Sequence, residues 1–353
     1  MNKWIEIDRK VISSNIKIIK SKLKDSKLMV VVKSNAYGHG IYEVSNIALK
    51  SGADMLGVME IDEAMKIKNL PLKIMIFYPL YTIDFPLRNN FIYTIDNLDV
   101  LRKISKILKK EKIFINLDVD SGLKRWGIDL KNIFDFIMKV KSLKNVKIFS
   151  ISTHIAYTPY KNKIEAAEKL KRFSEITLKV KKILPDVIVH AANSSVFIDF
   201  PDFYLDMVRI GNLIYGIYPR DIYSNNPNNP ASIGIGMPWK FFARIVAVRE
   251  VKKGESFGYA SEIIATKNMR IATLPVGYSD GIGMMPVENV YKITEGERFW
   301  ANINGKKAYF VTKPAISHTL IDITDIPAEV GTPVSLSIRR TAANRDIPRV
   351  YKD

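Results

Sequence analysis

A lysine that directly follows an apolar run is the residue of this chain most suited to chemistry. Residues 30–32 are three valines typical of a buried strand, Lys33 comes next, and a polar turn punctuated by glycines begins after it. Burial penalises the charged ammonium, so the pKa of such a lysine falls and its amine can form a Schiff base with an aldehyde. The alternative is a solvated lysine at a strand end, since the chain has 54 Lys and Arg residues.

The first two-thirds of the chain alternate between apolar, β-branched runs and segments of helical period. The predicted strands are residues 28–33, 54–59, 73–78, 91–95, 113–118, 147–152, 187–191 and 206–209. The predicted helices are residues 41–51, 60–69, 96–110, 130–142 and 162–183. This alternation predicts an α/β fold, a (β/α)8 barrel of the TIM type, in which Lys33 lies at the catalytic end. The rival is an open doubly wound sheet, but the sequence has neither a GxGxxG turn nor a Walker lysine.

The pattern changes near residue 222. A polar, turn-rich linker at 224–230 precedes strand-like runs without convincing helices between them. These runs are residues 239–250, 269–275, 299–303, 306–312, 319–324 and 333–339. We therefore expect two domains, a barrel over residues 8–225 and a C-terminal β-domain over residues 226–353.

Composition excludes several classes of function. The chain of 353 residues has no cysteine, which excludes disulfides, thiolate metal sites and cysteine nucleophiles. Its four histidines are scattered, so we expect no metal centre. The net charge of +18 comes largely from lysines at helical spacing between apolar residues, which is typical of solvated helix faces. We expect no nucleic-acid partner, no membrane partner and, without a signal-peptide core, a cytoplasmic location.

The lysine segment also carries a resemblance. Residues 31–40 read Val-Val-Lys-Ser-Asn-Ala-Tyr-Gly-His-Gly, which closely resembles the pyridoxal 5'-phosphate (PLP) signature of the alanine racemase family. The resemblance implies a PLP-dependent amino-acid racemase in which Lys33 binds the cofactor and Tyr37 contacts its phosphate. It also implies that residues 1–7 pair into the β-domain.

The run after the fifth barrel strand, residues 118–127, resembles the family's Asp-Thr-Gly-Met-x-Arg-x-Gly run. Arg125 then corresponds to the arginine that holds the substrate carboxylate, a task that suits a planar guanidinium. Many relatives carry a carbamate-bearing lysine at the position of Asp118. We hypothesise that Asp118 supplies that negative charge directly and orients Arg125. Without the motif, Arg125 is interpreted as a solvated surface residue.

Two further strand ends match the family. The sixth ends Ile-Ser-Thr-His154, and the resemblance places His154 against the pyridine ring; a buried structural histidine is the alternative. The seventh ends in residues 190–194, His-Ala-Ala-Asn-Ser, which match the family's His-x-Ala-Asn-Ser. This match makes Ser194 a phosphate ligand, with N-capping of the next helix as its structural alternative.

The eighth strand continues into Val-Arg-Ile-Gly-Asn-Leu-Ile-Tyr-Gly, residues 208–216, which closely matches the family's Val-Arg-x-Gly-x-x-x-Tyr-Gly. The resemblance assigns Gly211 and Asn212 to cofactor binding, with the glycine allowing backbone amides to approach the phosphate. It places Arg209 opposite the pyridine nitrogen. Because arginine does not readily give up a proton, that nitrogen stays unprotonated and the cofactor is a weaker electron sink. A buried ion pair is the alternative for Arg209.

Racemisation needs proton transfer on both faces of a planar carbanion, and Lys33 serves one face. Tyr259 precedes the Leu-Pro-Val-Gly-Tyr-Ser-Asp-Gly run at 274–281. The spacing between them resembles the spacing between the family's catalytic tyrosine and its Pro-x-Gly-Tyr-x-Asp-Gly motif. We therefore expect Tyr259 to be the second base, with packing in the β-domain as the alternative. In the family this tyrosine comes from the partner subunit, which implies a homodimer with shared active sites.

The C-terminal part departs from the family. Residues 312–318 replace its Gly-Arg-x-x-Met-Asp-Gln run, although the backbone N–H of Ile316 can still bind the substrate carboxylate, and the segment 331–351 is shortened. The leading hypothesis is an alanine racemase that supplies D-alanine for peptidoglycan precursors. The alternatives are a racemase of serine, lysine or several amino acids, and a non-catalytic PLP-binding protein. A decarboxylase of basic amino acids with the same barrel is disfavoured, because such enzymes typically use an active-site cysteine and this chain has none.

Overall fold

The computed structural model describes most of the chain and divides it into two compact units. The described residues are 1–82, 86–108, 112–224, 229–258, 261, 263–282, 286–287, 290–291, 300–338, 340 and 343–353. One unit spans Lys10–Met237, and the other combines Met1–Arg9 with Pro238–Asp353. Residues 225–228 of the expected linker lie outside the described residues.

The elements follow one another in the order that alternation predicts. The first strands are β1 Lys3–Asp8, β2 Lys27–Val31, β3 Met55–Val58, β4 Lys73–Ile76, β5 Phe91–Ile95, β6 Ile113–Asp120, β7 Ile128–Asp129, β8 Val146–Thr153, β9 Ile188–His190 and β10 Met207–Ile210. The helices are α1 Arg9–Ser21, α2 Lys33–Tyr37, α3 Ile41–Lys50, α4 Ile61–Lys66, α5 Leu98–Ile107, α6 Ile133–Lys141, α7 Lys163–Ile183, α8 Ser194–Asp199 and α9 Arg220–Tyr223.

Eight of these strands form a parallel sheet in the order β10-β2-β3-β4-β5-β6-β8-β9. The backbone N–H groups of Asp206 and Arg209 donate to the carbonyls of Val189 and Ala192 at 3.1 and 2.8 Å, which joins the last two strands and closes the barrel. Every residue of β3 and β5 is buried, because helices cover one face of the sheet and the barrel interior the other. The predicted (β/α)8 barrel is confirmed.

Methionines fill part of the barrel interior. One buried cluster consists of Met29, Met55, Met75, Ile92 and Met207, with Phe77, Phe114, Phe149 and Ile188 packed against it. Three of these methionines belong to the neighbouring strands β2, β3 and β4, and the flexible thioether side chain fills irregular space well. This packed apolar layer leaves the polar side chains to gather at the carboxyl ends of the strands.

The second unit is built mostly from strands. They are β11 Trp239–Arg244, β12 Ala247–Val251, β13 Ser256–Phe257, β14 Ile263–Ile264, β15 Met269–Leu274, β16 Pro286–Val287, β17 Val290–Tyr291, β18 Trp300–Ile303, β19 Lys306–Tyr309, β20 Thr319–Asp322, β21 Pro333–Leu336 and β22 Arg349–Lys352. Its largest sheet has the order β19-β18-β21-β11-β1-β22. In that sheet β1 runs antiparallel to β11 and parallel to β22.

The run expected at 239–250 is two strands in two sheets. It breaks at Ile245 and Val246, whose N–H groups donate to Thr332 and Thr273. After this break β12 pairs with β15 in a separate three-stranded sheet. Among the described residues, no helix has the length and apolar character needed to cross a membrane.

Candidate active site

Lys33 begins a left-handed turn directly after β2. The four residues Ser34–Tyr37 all have φ between 52° and 54°. None of them is glycine, and this conformation costs an L-residue roughly 1–2 kcal/mol. Backbone hydrogen bonds from Gly38 to Ser34 and from Gly40 to Asn35, both 3.0 Å, hold the turn. Lys33 and Tyr37 therefore leave the strand end in directions that a right-handed helix would not give them.

A cavity of about 320 Å³ lies at the carboxyl ends of the barrel strands. The predicted site residues that line it are Lys33, Tyr37, Arg125, His154, Ser194, Arg209, Gly211 and Asn212. Asp118, Asn116, Thr94 and Ser152 also contribute to its wall. Residues from several different strand ends thus converge, as the barrel architecture predicts.

Two predicted site residues belong to the other part of the chain. Tyr259 lies outside the described residues. Ile316 lies between β19 and β20 and is 60% exposed. The carbonyl of Ile316 accepts hydrogen bonds from the N–H and the hydroxyl of Ser279 at 3.1 and 2.7 Å, which fixes the local backbone.

Arg209 is buried, and both of its terminal nitrogens donate to acceptors of the barrel. Its Nη1 donates to the carbonyl of His190 at 2.9 Å and to the ring Nδ1 of the same residue at 2.6 Å. Its Nη2 donates to the carbonyl of Thr153 at 2.7 Å. Because arginine only donates, Nδ1 of His190 is the unprotonated nitrogen. Among the described residues, the hydrogen bonds of Arg209 go to neutral oxygens and a neutral ring, while the charge of Asp118 also acts on it, so the alternative of a buried ion pair stays a prediction.

Burial is the main cause of the shifted pKa values in the cavity. Burial lowers the pKa of Lys33, and the positive charge of Arg125 lowers it further. Burial, together with Arg209, Arg125 and Lys33, lowers the pKa of His154 to about 3, so that ring is neutral at physiological pH. Burial lowers the pKa of Arg209 to about 10, which leaves its guanidinium charged. The cavity therefore holds fixed positive charge beside an amine that loses its proton readily.

Asp118 ends a chain of hydrogen bonds inside the barrel. Ser152 donates to its Oδ1 at 2.5 Å, and Asn116 donates to the hydroxyl of Ser152 at 2.9 Å. Ser150 donates to the Oδ1 of Asn116 at 2.8 Å. Since the Asn116 amide only donates to Ser152, the proton of Ser152 is directed to Asp118. The network holds the carboxyl group as an acceptor.

Burial raises the pKa of Asp118, while the hydrogen bond from Ser152 and the charges of Arg209 and Arg125 oppose the rise. The guanidinium of Arg125 stacks on the ring of Trp126, with 3.6 Å from its carbon to the ring centroid. Burial lowers the pKa of Arg125, and the Asp118 charge opposes that change. The two side chains thus interact electrostatically, in the sense that the hypothesis for Asp118 requires.

A recess suited to a phosphate lies beside Tyr37. A Cβ atom on Gly211 would overlap the Tyr37 hydroxyl, so glycine allows this close approach of Tyr37 to the backbone. The Ser194 hydroxyl accepts a hydrogen bond from the N–H of Leu213 at 3.4 Å. Burial raises the pKa of Tyr37 to about 12, which keeps its hydroxyl a donor. These hydroxyls and the backbone at Gly211 fit the phosphate of PLP.

The capping alternative for Ser194 is wrong. Asn193 is the N-cap of α8, and its Oδ1 accepts the N–H groups of Ser195 and Val196 at 3.0 and 3.1 Å. The hydroxyl of Ser194 is therefore not used to cap the helix that it begins. It remains in the wall of the cavity next to Asn212.

Sequence reasoning missed Glu63, which is buried at 7% exposure. It precedes the buried Ile67 by four residues, so both lie on one face of the segment that contains α4. A carboxylate at an apolar-face position was the signal that could have identified it. The His190 partner of Arg209 was within a quoted motif but received no role.

Comparisons with known proteins identify one protein family. The family model described as the alanine racemase N-terminal domain matches residues 7–219, and the C-terminal domain model matches residues 239–349. The chain belongs to the alanine racemase family. It is 30% identical over 345 residues to an alanine racemase of Halothermothrix orenii, covering 94% of this chain and 86% of the relative. It is also 30% identical over 332 residues to one of Methanococcus maripaludis, covering 92% and 85%.

Solved members of the family share the fold. An alanine racemase of Clostridium difficile 630 matches with a TM-score of 0.87 and 25% identity, over 100% of this chain and 96% of its own. The enzyme of a D-cycloserine-producing Streptomyces lavendulae matches with a TM-score of 0.86 and 23% identity, over 100% and 97%. The predicted family and its barrel-plus-β-domain architecture are confirmed.

Proposed function

We propose that this protein is a PLP-dependent alanine racemase. The observation that carries the proposal is that Lys33, Arg209 with its neutral hydrogen-bond acceptors, and the recess at Gly211 converge in one cavity. When bound, PLP supplies an aldehyde and an electron-withdrawing ring that acidify the Cα–H of an amino acid. Family membership and the names of the relatives support alanine as the substrate.

The side chains have distinct tasks in this proposal. Lys33 binds the cofactor and moves the proton on one face of the substrate, because its lowered pKa makes the free amine accessible. Tyr37, Ser194, Gly211 and Asn212 hold the phosphate. Arg209 would face the ring nitrogen of bound PLP with a guanidinium that keeps its charge.

His154 would pack as a neutral ring against bound PLP, in keeping with its lowered pKa. Arg125 binds the substrate carboxylate, assisted by the backbone N–H of Ile316. The stacking of Arg125 on Trp126 supports this role, because it limits the orientations of the guanidinium before substrate arrives.

Tyr259 is the second base in the proposal. An unperturbed tyrosine has a pKa of about 10, so it needs cationic neighbours to act as a base. We propose that it enters the barrel cavity of a partner subunit, in a homodimer with shared active sites. Exposed tyrosines on segments that follow barrel strands, Tyr42, Tyr78, Tyr81 and Tyr160, support such an interface.

The proposal extends to domains and cellular role. Residues 8–225 form the PLP-binding barrel, and residues 226–353 with strand 1–7 form the β-domain. The two compact units support two domains, with their boundaries after Arg9 and after Met237. The protein works in the cytoplasm and supplies D-alanine for peptidoglycan. Serine and lysine are the competing substrates, since the family's Met-Asp-Gln side chains are absent from 312–318.

The test combines an absorbance spectrum with chiral analysis. The purified protein should show a band at the visible edge that borohydride reduction removes, and it should convert L-alanine into D-alanine faster than it converts L-serine or L-lysine. A faster reaction with another amino acid would reject alanine as the substrate. A band without any D-product would reject racemisation in favour of PLP binding alone, and with it the role of Tyr259.

A further inference from the structure

One buried carboxylate connects the segments that follow two neighbouring barrel strands. The Oε1 atom of Glu63 accepts the N–H of Asn35 at 3.3 Å, and its Oε2 accepts the N–H of Met59 at 3.0 Å. Asn35 follows β2 and Met59 follows β3. Glu63 lies on α4, so a single side chain joins the turn after β2, the residue after β3 and α4 itself.

Asn35 belongs to the left-handed turn that presents Lys33 and Tyr37. Its own Oδ1 accepts the N–H of Ile41 at 2.9 Å, which ties the turn to the start of α3. Left-handed backbone is unfavourable for these residues, so outside contacts must stabilise it. Glu63 supplies such a contact two residues after Lys33.

We propose that Glu63 is a positioning residue for Lys33: its Oε1 holds the left-handed turn, its Oε2 ties that turn to Met59, and its negative charge acts on the amine of the lysine. The proposal rests on the role of Lys33 as the reactive amine in the proposed function. A carboxylate suits this position better than an amide, because both of its oxygens accept hydrogen bonds.

The charges around Lys33 come from several elements. Arg125, after β6, repels its ammonium, and Glu63, on α4, attracts it. Arg209 on β10 and Asp118 on β6 line the same cavity. Burial and Arg125 lower the pKa of Lys33, and the charge of Glu63 limits that fall. The charge and the hydrogen bonds of Glu63 therefore have separable consequences.

Replacement of Glu63 distinguishes these consequences by the sign of one shift. Glu63→Gln removes the negative charge and places an amide NH2 donor where the backbone needs an acceptor. If the charge acts on Lys33, its pKa falls by about one unit, the lower end of what a nearby charge produces. If Glu63 only supports the backbone, loosening of the turn exposes the lysine to water and its pKa rises.

The measurement uses the protein freed of cofactor. Trinitrobenzenesulfonate labels free amines, and mass spectrometry of the Lys33 peptide over a range of pH yields the pKa of this lysine alone. The matched control is Asp62→Asn, which removes a carboxylate from the same helix at an exposed position. The control should leave the pKa of Lys33 unchanged, and a fall equal to that of Glu63→Gln would overturn the proposal.

A second variant, Glu63→Asp, keeps the proposal testable if Glu63→Gln does not fold. Glu63→Asp keeps the charge but shortens its reach, so the pKa of Lys33 should stay within a few tenths of the parent value, while capture of added PLP by the apoprotein slows about tenfold. A pKa that rises or stays unchanged in Glu63→Gln overturns the proposal, as does unchanged PLP capture in Glu63→Asp. Neither readout requires racemisation, so a parent protein without racemase activity would reject the proposed function and leave this test intact.

Discussion

The recess beside Tyr37 predicts a strong effect of one added methyl group at Gly211. An ideal Cβ on Gly211 would lie 2.9 Å from Cζ and 3.2 Å from Cε2 of Tyr37, and closer still to the hydroxyl oxygen. The ring of Tyr37 stacks on Tyr215 with centroids 4.7 Å apart. Tyr215 is fully buried and donates its hydroxyl to the carbonyl of Val31 at 2.9 Å, so it cannot make room. In Gly211→Ala, Tyr37 must move away from both neighbours.

The size of the effect follows from these contacts. Overpacking costs roughly 1–3 kcal/mol, and loss of the aromatic stack costs about 0.5–1.5 kcal/mol. Replacing glycine returns about 0.4–1 kcal/mol through the unfolded chain. We expect Gly211→Ala to lower the free energy of unfolding by about 1–3 kcal/mol. Displacement of the Tyr37 hydroxyl removes a phosphate donor and should weaken PLP binding about tenfold, which corresponds to about 1.4 kcal/mol.

The assay is urea unfolding of the apoprotein, together with spectroscopic titration of PLP. Tyr37→Phe is the matched variant, because it removes the atom nearest to the new methyl group. The double variant Gly211→Ala/Tyr37→Phe should lose less stability than the sum of the losses in the two single variants, by at least about 0.5 kcal/mol. Additive losses, or a Gly211→Ala variant with parental stability and PLP affinity, would refute the reasoning.

Three further predictions concern the same cavity. Asp118→Asn should raise the Michaelis constant for alanine about tenfold yet stabilise the protein near pH 7. Burial raises the pKa of Asp118, so the folded protein loses stability as the pH rises through that pKa, and an amide avoids this loss. Steady-state kinetics and urea unfolding test this prediction, which a less stable variant with a normal Michaelis constant would contradict. For His154 the folded pKa of about 3 lies below the unfolded value of 6.5, so below pH 6.5 the apoprotein should lose about 1.4 kcal/mol of stability per pH unit. His154→Gln should be less sensitive to pH by that amount, and an identical slope would argue against a neutral ring. Asn116→Ala leaves the hydroxyl of Ser150 without its acceptor and should cost about 2–4 kcal/mol in urea unfolding; a loss under about 1 kcal/mol would show that the network contributes little.

The barrel could be predicted because its strands are buried on both faces. Such strands are short continuous apolar runs, and the runs at 73–78 and 91–95 correspond to Lys73–Ile76 and Phe91–Ile95. The polar residues after them were identifiable because a barrel brings strand ends together. Motif resemblance added a role for each, which strand periodicity cannot supply.

The left-handed turn was beyond sequence reasoning. Local preference assigns positive φ to glycine, whereas Ser34, Asn35, Ala36 and Tyr37 adopt it here. Contacts from distant elements, Glu63 among them, override that preference. The pairing of Asp118 with Ser152 was equally hidden, because the register between β6 and β8 shifts between Ile115 and Asn116.

The position of the first strand has a consequence for synthesis on the ribosome. Lys3–Asp8 is synthesised long before its parallel partner Arg349–Lys352. At about 5–20 residues per second, the two are separated by tens of seconds of translation. During that interval the barrel can close while β1 has an unpaired edge. Charged side chains at Lys3, Glu6 and Asp8 discourage that edge from pairing with another nascent chain.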